Sequence, residues 1–139
     1  MGSPMTETMR FEGLTLTVES VEKSIAFYQG KLGLTVEVNA APAFAMIRLG
    51  SGTIGLLSVV EARKEGVADS SAAQKAAIHV ELSTDDLDGL YEVLKAKGVA
   101  FHQPPHDEPW ERSMAAFDPD GYAVEFAQGR RGKNAPPKP

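Results

Sequence analysis

Apolar and polar residues alternate in two short segments of the chain, residues 14–18 and residues 78–82. A period of two residues is typical of a β-strand that buries one of its faces. After each segment, apolar residues recur at helical spacing, over residues 21–32 and residues 87–94. The pattern therefore predicts a strand followed by an amphipathic helix, twice along the chain.

The two strand–helix units belong to an internal repeat. Gly33 and Gly98, which we expect to end the two helices, are 65 residues apart. Ser20 is the predicted N-cap of the first helix, and Ser83 or Thr84 that of the second. Three short strands are predicted after each helix, at residues 35–38, 44–49 and 53–59 and at residues 99–101, 113–117 and 122–127. The sequence thus predicts an α+β fold made of two βαβββ modules.

The same elements suggest how the chain is divided. The predicted parts are a tag remnant and leader (residues 1–10, with Met5 as the native start), a first module (11–60), a linker (61–76), a second module (77–127) and a disordered basic tail (128–139). Neither module would hold a large core alone, so we expect the two to pair.

Composition narrows the class of protein. The chain has 139 residues, a net charge of −5 and no cysteine, which excludes disulfides, thiolate metal sites and a cysteine nucleophile. We expect neither a signal peptide nor a membrane span, since no apolar run reaches the roughly 20 residues that a span needs. An acidic protein is also a poor partner for phosphate backbones. We therefore expect a cytoplasmic protein that binds neither nucleic acid nor membrane.

The charge is unevenly distributed along the chain. Residues 128–139 contain four basic residues and no acid, so the remaining chain carries −9. Such a body would attract a cationic ligand.

The strand pattern also predicts a ligand groove. If the apolar faces meet the helices, Thr15, Thr17, His79 and Glu81 lie on the opposite faces, which are too polar for a dry core. In the last strand, Glu125 lies between two alanines on that same side. A curved sheet with a polar, small-residue concave face is typical of a small-molecule site.

This layout and several local strings resemble the vicinal oxygen chelate superfamily, which groups glyoxalases, bleomycin-resistance proteins and extradiol dioxygenases. The strings are Ser24-x-x-Phe27-Tyr28, Leu32-Gly-Leu34, Glu108-Pro-Trp110 and Asp118-Pro-Asp-Gly121. The resemblance implies the glyoxalase/bleomycin resistance/dihydroxybiphenyl dioxygenase fold, with two βαβββ modules in tandem forming a curved mixed sheet around a groove. It also implies a homodimer, whose groove is completed within one chain or by exchange of modules between chains.

Metal-dependent members of this superfamily place one ligand on each of four strands, typically histidine, glutamate, histidine and glutamate. On this sequence the third and fourth positions fall on His79 and Glu125, the first on Gly13 and the second near Leu56. Two protein ligands are too few for a firm site, so we expect no metal and no other cofactor. The alternative is a divalent Zn, Ni, Fe or Mn ion held by His79, Glu125 and water.

Two functions are consistent with the resemblance. The first is a binding protein that sequesters an aromatic or drug-like small molecule without a metal, as in antibiotic resistance. The second is a glyoxalase-like lyase or isomerase, either metal-dependent or using His79 and Glu125 as catalytic acid and base. The missing metal ligands and Glu108-Pro-Trp110 favour the binder. The dyad could equally orient a ligand or be a remnant of a lost metal site.

Further groove residues follow from the same layout. Trp110 is expected to stack on a planar ligand or to cover the rim, and Arg48 to hold an anionic group or to remain on the surface. The predicted ligand-binding residues are Thr15, Thr17, Phe44, Met46, Arg48, Leu56, Glu81, Trp110 and Arg112. His102 and His106 flank two prolines, so we expect them in a solvated loop.

Overall fold

The computed structural model describes residues 4–129. Its elements are α1 (Pro4–Glu7), β1 (Gly13–Val18), α2 (Val21–Ile25), a π-helix (Ala26–Lys31), β2 (Thr35–Ala40), β3 (Phe44–Leu49), β4 (Gly52–Ser58), α3 (Val59–Lys64), α4 (Ala72–Ala76), β5 (His79–Ser83), α5 (Leu87–Ala96), β6 (Phe101–Asp107), β7 (Arg112–Phe117) and β8 (Ala123–Gln128). The predicted α+β fold with two βαβββ modules is confirmed. The start of the predicted tag remnant and most of the predicted basic tail lie outside the described residues.

The eight strands form two four-stranded mixed sheets with one shared topology. The first has the order β1-β4-β3-β2 and the second β5-β8-β7-β6. In each sheet the first strand of the module runs parallel to the last, and the other neighbours are antiparallel. The repeat seen in the sequence is therefore a repeat of structure.

One hydrophobic core includes residues of both modules. Leu16 and Val18 of β1 and Val80, Val124 and Phe126 of the second sheet are all buried in it. These are the positions whose alternation predicted a helix-facing side. Fully burying a side chain of this size stabilises the fold by about 1.5–3 kcal/mol.

The first helix begins as predicted but changes its winding. The Ser20 side chain accepts a hydrogen bond from the backbone N–H of Lys23 at 3.2 Å. Beyond α2 the helix widens into the π-helix, where the N–H of Leu32 donates to the carbonyl of Phe27 at 3.0 Å. Phe27 and Tyr28, near the start of this π-helix, are both buried.

The predicted N-cap of the second helix was wrong. The cap of α5 is Asp86, whose side chain accepts from the backbone N–H of Gly89 at 3.0 Å. The N–H of Thr84 instead donates to the carbonyl of Ala127 at 2.9 Å. Because this bond prolongs the β5–β8 ladder, the helix begins later than the sequence indicated.

The prediction that His102 and His106 lie in a loop was also wrong, because both belong to β6. Pro104 and Pro105 lack an N–H group, but β6 is an edge strand and tolerates them. Its pairing with β7 is irregular on both sides of Gln103.

The predicted linker contains two short helices, α3 and α4. Val59 and Ala62 of α3 are buried, so this helix packs against the first module. Among the described helices, none is both long and apolar enough to cross a membrane.

The turn between β7 and β8 contacts the first module through Asp118 and Tyr122. Asp118 accepts hydrogen bonds from the Tyr28 hydroxyl at 2.7 Å and from the backbone N–H groups of Asp120 and Tyr122 at 2.9 and 3.0 Å. The Tyr122 hydroxyl donates to the carbonyl of Thr17 at 2.7 Å. Burial raises the pKa of the Asp118 carboxyl, although the hydrogen bond from Tyr28 acts in the opposite direction.

Asp120 extends this contact to the linker. Its carboxylate accepts from the backbone N–H of Glu19 at 2.8 Å and lies 3.4 Å from the Lys75 ammonium. The side chains of Lys75 and Asp120 are almost fully buried. We call the Asp118–Tyr122 segment the joint, because it holds β1, the first helix and α4 against the second sheet.

Candidate functional site

The concave face of the first sheet forms an open cup of about 550 Å³. Thr15, Thr17 and Phe44 line this cup, as the strand pattern predicted. Met46 lies on the same face, because it follows Phe44 by two residues in β3. The structure therefore brings together four of the predicted ligand-binding residues.

Other lining residues of the cup were not predicted. Leu57 pairs with Thr17 and Phe44, and the strand alternation could have placed it on this face. Glu61, Glu65 and Val67 also line the cup. They come from α3 and the residues after it, a region that the sequence indicated only as linker.

The structure places Leu56 away from the groove, contrary to the expectation. Leu56 pairs with Leu16, faces the helices and is fully buried. The residue equivalent to Glu125 is Gly55, because Glu125 pairs with Glu81 as Gly55 pairs with Thr15. The predicted equivalence of Leu56 with Glu125 was one residue off, because the turn between β7 and β8 is longer than the turn between β3 and β4.

The described residues do not fit the four-ligand metal site of the metal-dependent members. A Cβ atom on Gly55 would lie 2.9 Å from the Thr15 hydroxyl and 3.2 Å from the Phe44 ring. A Cβ atom on Gly13 would overlap the backbone carbonyl of Thr53. Within residues 4–129, no three His, Cys, Asp or Glu side chains are grouped so that they could hold a metal ion.

His79 and Glu125 lie on the concave face of the second sheet, as predicted. His79 Nδ1 is 3.9 Å from Glu125 Oε2, which is longer than a hydrogen bond but within ion-pair range for a protonated imidazole. The two side chains are 53% and 23% exposed. The pair is thus accessible to a ligand, and a bound molecule could shorten the contact.

A second, apolar cleft of about 200 Å³ lies where β1 and β5 approach each other. Phe11, Leu14 and Ile78 line it and are all exposed, Phe11 to 76%. His79 and Glu81 also line this cleft. Glu81, one of the predicted ligand-binding residues, therefore lies beside an apolar surface.

Arg48 lies at the concave face but already has a partner. Its guanidinium contacts the Glu37 carboxylate at 2.8 Å, and both side chains are more than 40% exposed. An ion pair this exposed contributes at most about 1 kcal/mol. An anionic ligand would have to compete with Glu37.

Arg112 does not face the groove, contrary to the expectation. In β7 it alternates with Ser113 and Ala115, so it points to the helix side. Its guanidinium contacts Asp88 of α5 and Asp107 of β6, each at 2.9 Å. The hydrogen bond from Arg112 lowers the pKa of the Asp88 carboxyl.

Trp110 lies between β6 and β7 and is partly buried. Its contact with a ligand stays a prediction.

Comparison with known proteins gives a consistent result. The model of the "Glyoxalase/Bleomycin resistance protein/Dioxygenase superfamily" matches residues 10–126. A bleomycin resistance protein of Geobacillus stearothermophilus is 31% identical over 127 residues, which cover 81% of this chain and 92% of that protein.

Solved structures share the architecture. The crystal structure of a glyoxalase/bleomycin resistance protein/dioxygenase from Nocardioides is similar with a TM-score of 0.74 at 26% identity, covering 93% of this chain and 94% of that one. A lactoylglutathione lyase from Agrobacterium tumefaciens has a TM-score of 0.69 at 18% identity, over 85% and 92% of the two chains, and shares the fold. The chain described here therefore belongs to the glyoxalase/bleomycin resistance protein/dioxygenase superfamily.

Proposed function

We propose that the protein is a binding protein that sequesters an aromatic or drug-like small molecule on the concave faces of its sheets, without a metal. The observation that carries this proposal is the pair Gly13 and Gly55. The space that two metal ligands would need is taken by Thr53, Thr15 and the Phe44 ring. An aromatic ring beside the position of a missing metal ligand suits an organic ligand better than an ion.

The lining of the cup indicates which small molecules it would favour. Phe44, Leu57 and Val67 supply apolar surface. Glu65 adds a carboxylate beside it, and so does Glu61, which also contacts the Lys64 ammonium at 3.1 Å. The chain without its basic tail carries −9. We therefore propose a ligand that combines an aromatic ring with a positive charge.

We further propose that the protein acts as a homodimer. In the single chain the cup is open and the His79 side chain is 53% exposed. A second copy that set its second sheet opposite this cup would enclose a ligand between Phe44 of one chain and Trp110 of the other. Ligand pockets commonly bury most of the ligand surface.

An enzymatic function is the alternative, and the His79–Glu125 pair is the observation in its favour. An imidazole and a carboxylate 3.9 Å apart on an accessible face could move a proton to or from a carbonyl substrate. Such a glyoxalase-like lyase or isomerase would have to work with fewer protein ligands than its metal-dependent relatives.

Metal analysis of the purified protein separates these functions. The binder hypothesis predicts substoichiometric zinc, nickel, iron and manganese, and no change in metal content on His79→Ala. It also predicts that a panel of cationic aromatic antibiotics quenches Trp110 fluorescence in a saturable way. A stoichiometric metal that is lost in His79→Ala would contradict the proposal, and so would the absence of quenching across the panel.

A further inference from the structure

Two aromatic rings are stacked on the concave face of the second sheet, outside the cup of the first module. The His102 and Phe117 rings are nearly parallel, with centroids 4.0 Å apart and 13° between their planes. Phe117 nevertheless keeps 46% of its surface exposed, although Ser113–Ala116 before it are buried. A large apolar ring is therefore presented to solvent on the face where a ligand would bind.

The stacking orients the Phe117 ring before a ligand binds. Because His102 lies parallel to the Phe117 ring, it restricts the ring plane before any ligand arrives. A side chain already held in its binding orientation loses little conformational entropy on association. Neither ring belongs to the hydrophobic core, since both residues are exposed.

The strands beside Phe117 carry small side chains on the same face. Phe117 pairs with Ala123 on β8, and Ala115 lies on the same face two residues earlier. Both alanines are buried, with exposures of 7% and 6%, and no side-chain atom extends beyond their Cβ. Neighbouring strands are about 4.8 Å apart, so a planar group lying over Ala123 would touch the edge or face of Phe117.

The charges on this face favour a cation. Glu125 follows Ala123 by two residues and pairs with Glu81, so both carboxylates lie on the concave side. Arg112 is the one lysine or arginine in the four strands of this sheet, and it lies on the helix side bound to Asp88. A positive ligand would therefore meet carboxylates and no lysine or arginine from these strands, with the His79 imidazole beside Ala123.

We propose that His102 and Phe117 form a stacking site for a planar aromatic cation, with Glu125 facing its positive charge. The site rests on the proposed binding function and adds to it a second place of contact, on the opposite module from the Phe44 cup. The aromatic ring gives the site its shape preference, and the carboxylate gives it its charge preference.

Titration of the full-length protein with proflavine, a planar diaminoacridinium dye, tests the site. Phe117→Leu should weaken the dissociation constant by about tenfold, because it keeps an apolar side chain but removes the ring. Phe117→Tyr keeps the ring and should bind as the wild type does. Phe11→Leu, which removes an even more exposed phenylalanine elsewhere, is the matched control and should leave binding unchanged. Glu125→Gln should weaken proflavine binding but not the weak binding of the anionic dye pyrene sulfonate.

The possible outcomes separate this site from the broader proposal. Equal proflavine affinity in Phe117→Leu and Phe11→Leu would overturn the stacking site, whereas the antibiotic panel with Trp110 fluorescence would still decide the binding function. If Phe117→Leu instead dissociates a dimer and leaves dye binding intact, the ring belongs to a protein interface and the site is wrong. Tighter binding of pyrene sulfonate than of proflavine would also overturn it. Thermal unfolding of each variant shows whether a change in affinity comes from loss of the fold.

Discussion

Asp118 shows how a single residue of the joint can support the site without contacting a ligand. It accepts three hydrogen bonds, one from Tyr28 in the first module and two from the backbone of its own turn. It is 5% exposed, so these donors replace the water that an ionised carboxylate would otherwise have. This contact joins the second sheet, which carries His79 and Glu125, to the first module.

Replacing Tyr28 tests the contribution of that contact. Tyr28→Phe removes the donor to Asp118 and leaves a buried carboxylate with one hydrogen bond fewer. We expect the free energy of unfolding to fall by about 1–3 kcal/mol, measured by urea denaturation at neutral pH. Tyr91→Phe is the control, since Tyr91 belongs to α5 and its ring packs against Phe101, away from Asp118. Equal stability of the two variants would show that the Tyr28–Asp118 hydrogen bond contributes little.

The titration of Asp118 gives a second prediction, on pH. Burial raises its pKa above the usual value near 4, so the folded state holds this proton more tightly than the unfolded state does. The stabilisation is complete below about pH 4 and is lost as the pH rises through the folded-state pKa. The difference in unfolding free energy between the wild type and Asp118→Asn should therefore decrease as the pH is raised from about 4 to 7. A difference that increased over this range would have the wrong sign for a raised pKa.

Among the secondary-structure elements, the close pairing of β1 with β4 decides what the first cup can contain. Gly13 and Gly55 lie on these two parallel strands, and a side chain at either would meet Thr53, Thr15 or Phe44. At Gly13 the obstacle is the backbone carbonyl of Thr53, and at Gly55 it is the Thr15 hydroxyl and the Phe44 ring. The equivalent strands of the second module, β5 and β8, carry His79 and Glu125 at the corresponding positions.

Substituting these glycines tests that close approach. Gly13→Ala should lower the free energy of unfolding by about 1–3 kcal/mol, because backbone atoms of Thr53 would have to move. Gly30→Ala is the matched control, since a Cβ there would meet nothing within 4 Å beyond its chain neighbours and the backbone of its own π-helix. Alanine at a helical position should be neutral or stabilise by up to about 1 kcal/mol. A Gly13→Ala variant as stable as Gly30→Ala would mean that the strands can separate without cost.

The elements also show what the sequence could predict. Alternation assigned the right faces to β1, β5 and β8, because burial of one face imposes a period of two. The register of β4 was less predictable. Leu56 was assigned to the second metal-ligand position in place of Gly55, because the equivalent turns of the two modules differ in length. Arg112 looked like a groove residue, since nothing local indicated its pairing with Asp88 of α5. The contribution of Glu61 and Glu65 to the cup depends on how α3 packs, which is tertiary information.

On the scale of the whole molecule, the distribution of charge should control how ligands arrive. The body carries −9, and the basic residues of the tail are concentrated at one end of the chain. Carboxylates are placed both around the cup, at Glu61 and Glu65, and on the second sheet. A cationic ligand would therefore be attracted from a distance, whereas a neutral one would depend on contact alone.

Changing the ionic strength distinguishes long-range electrostatic attraction from direct contact. Raising the salt from about 0.01 M to 1 M shortens the Debye length from roughly 30 Å to 3 Å. The dissociation constant of proflavine should rise severalfold over this range in stopped-flow and equilibrium titrations, mainly through slower association. A neutral planar ligand of similar size should be almost unaffected. Equal salt dependence of both ligands would argue against an electrostatic role for the acidic body.

The central claim is that this superfamily member binds an aromatic cation at its concave faces without a metal. The most direct measurement is a fluorescence titration of Trp110 with a cationic aromatic antibiotic, carried out on protein dialysed against a chelator. A site that works without a metal should give saturable quenching with the same dissociation constant before and after dialysis, and no change when zinc, nickel, iron or manganese is restored. Quenching that disappears on dialysis and returns with one of these metals would contradict it.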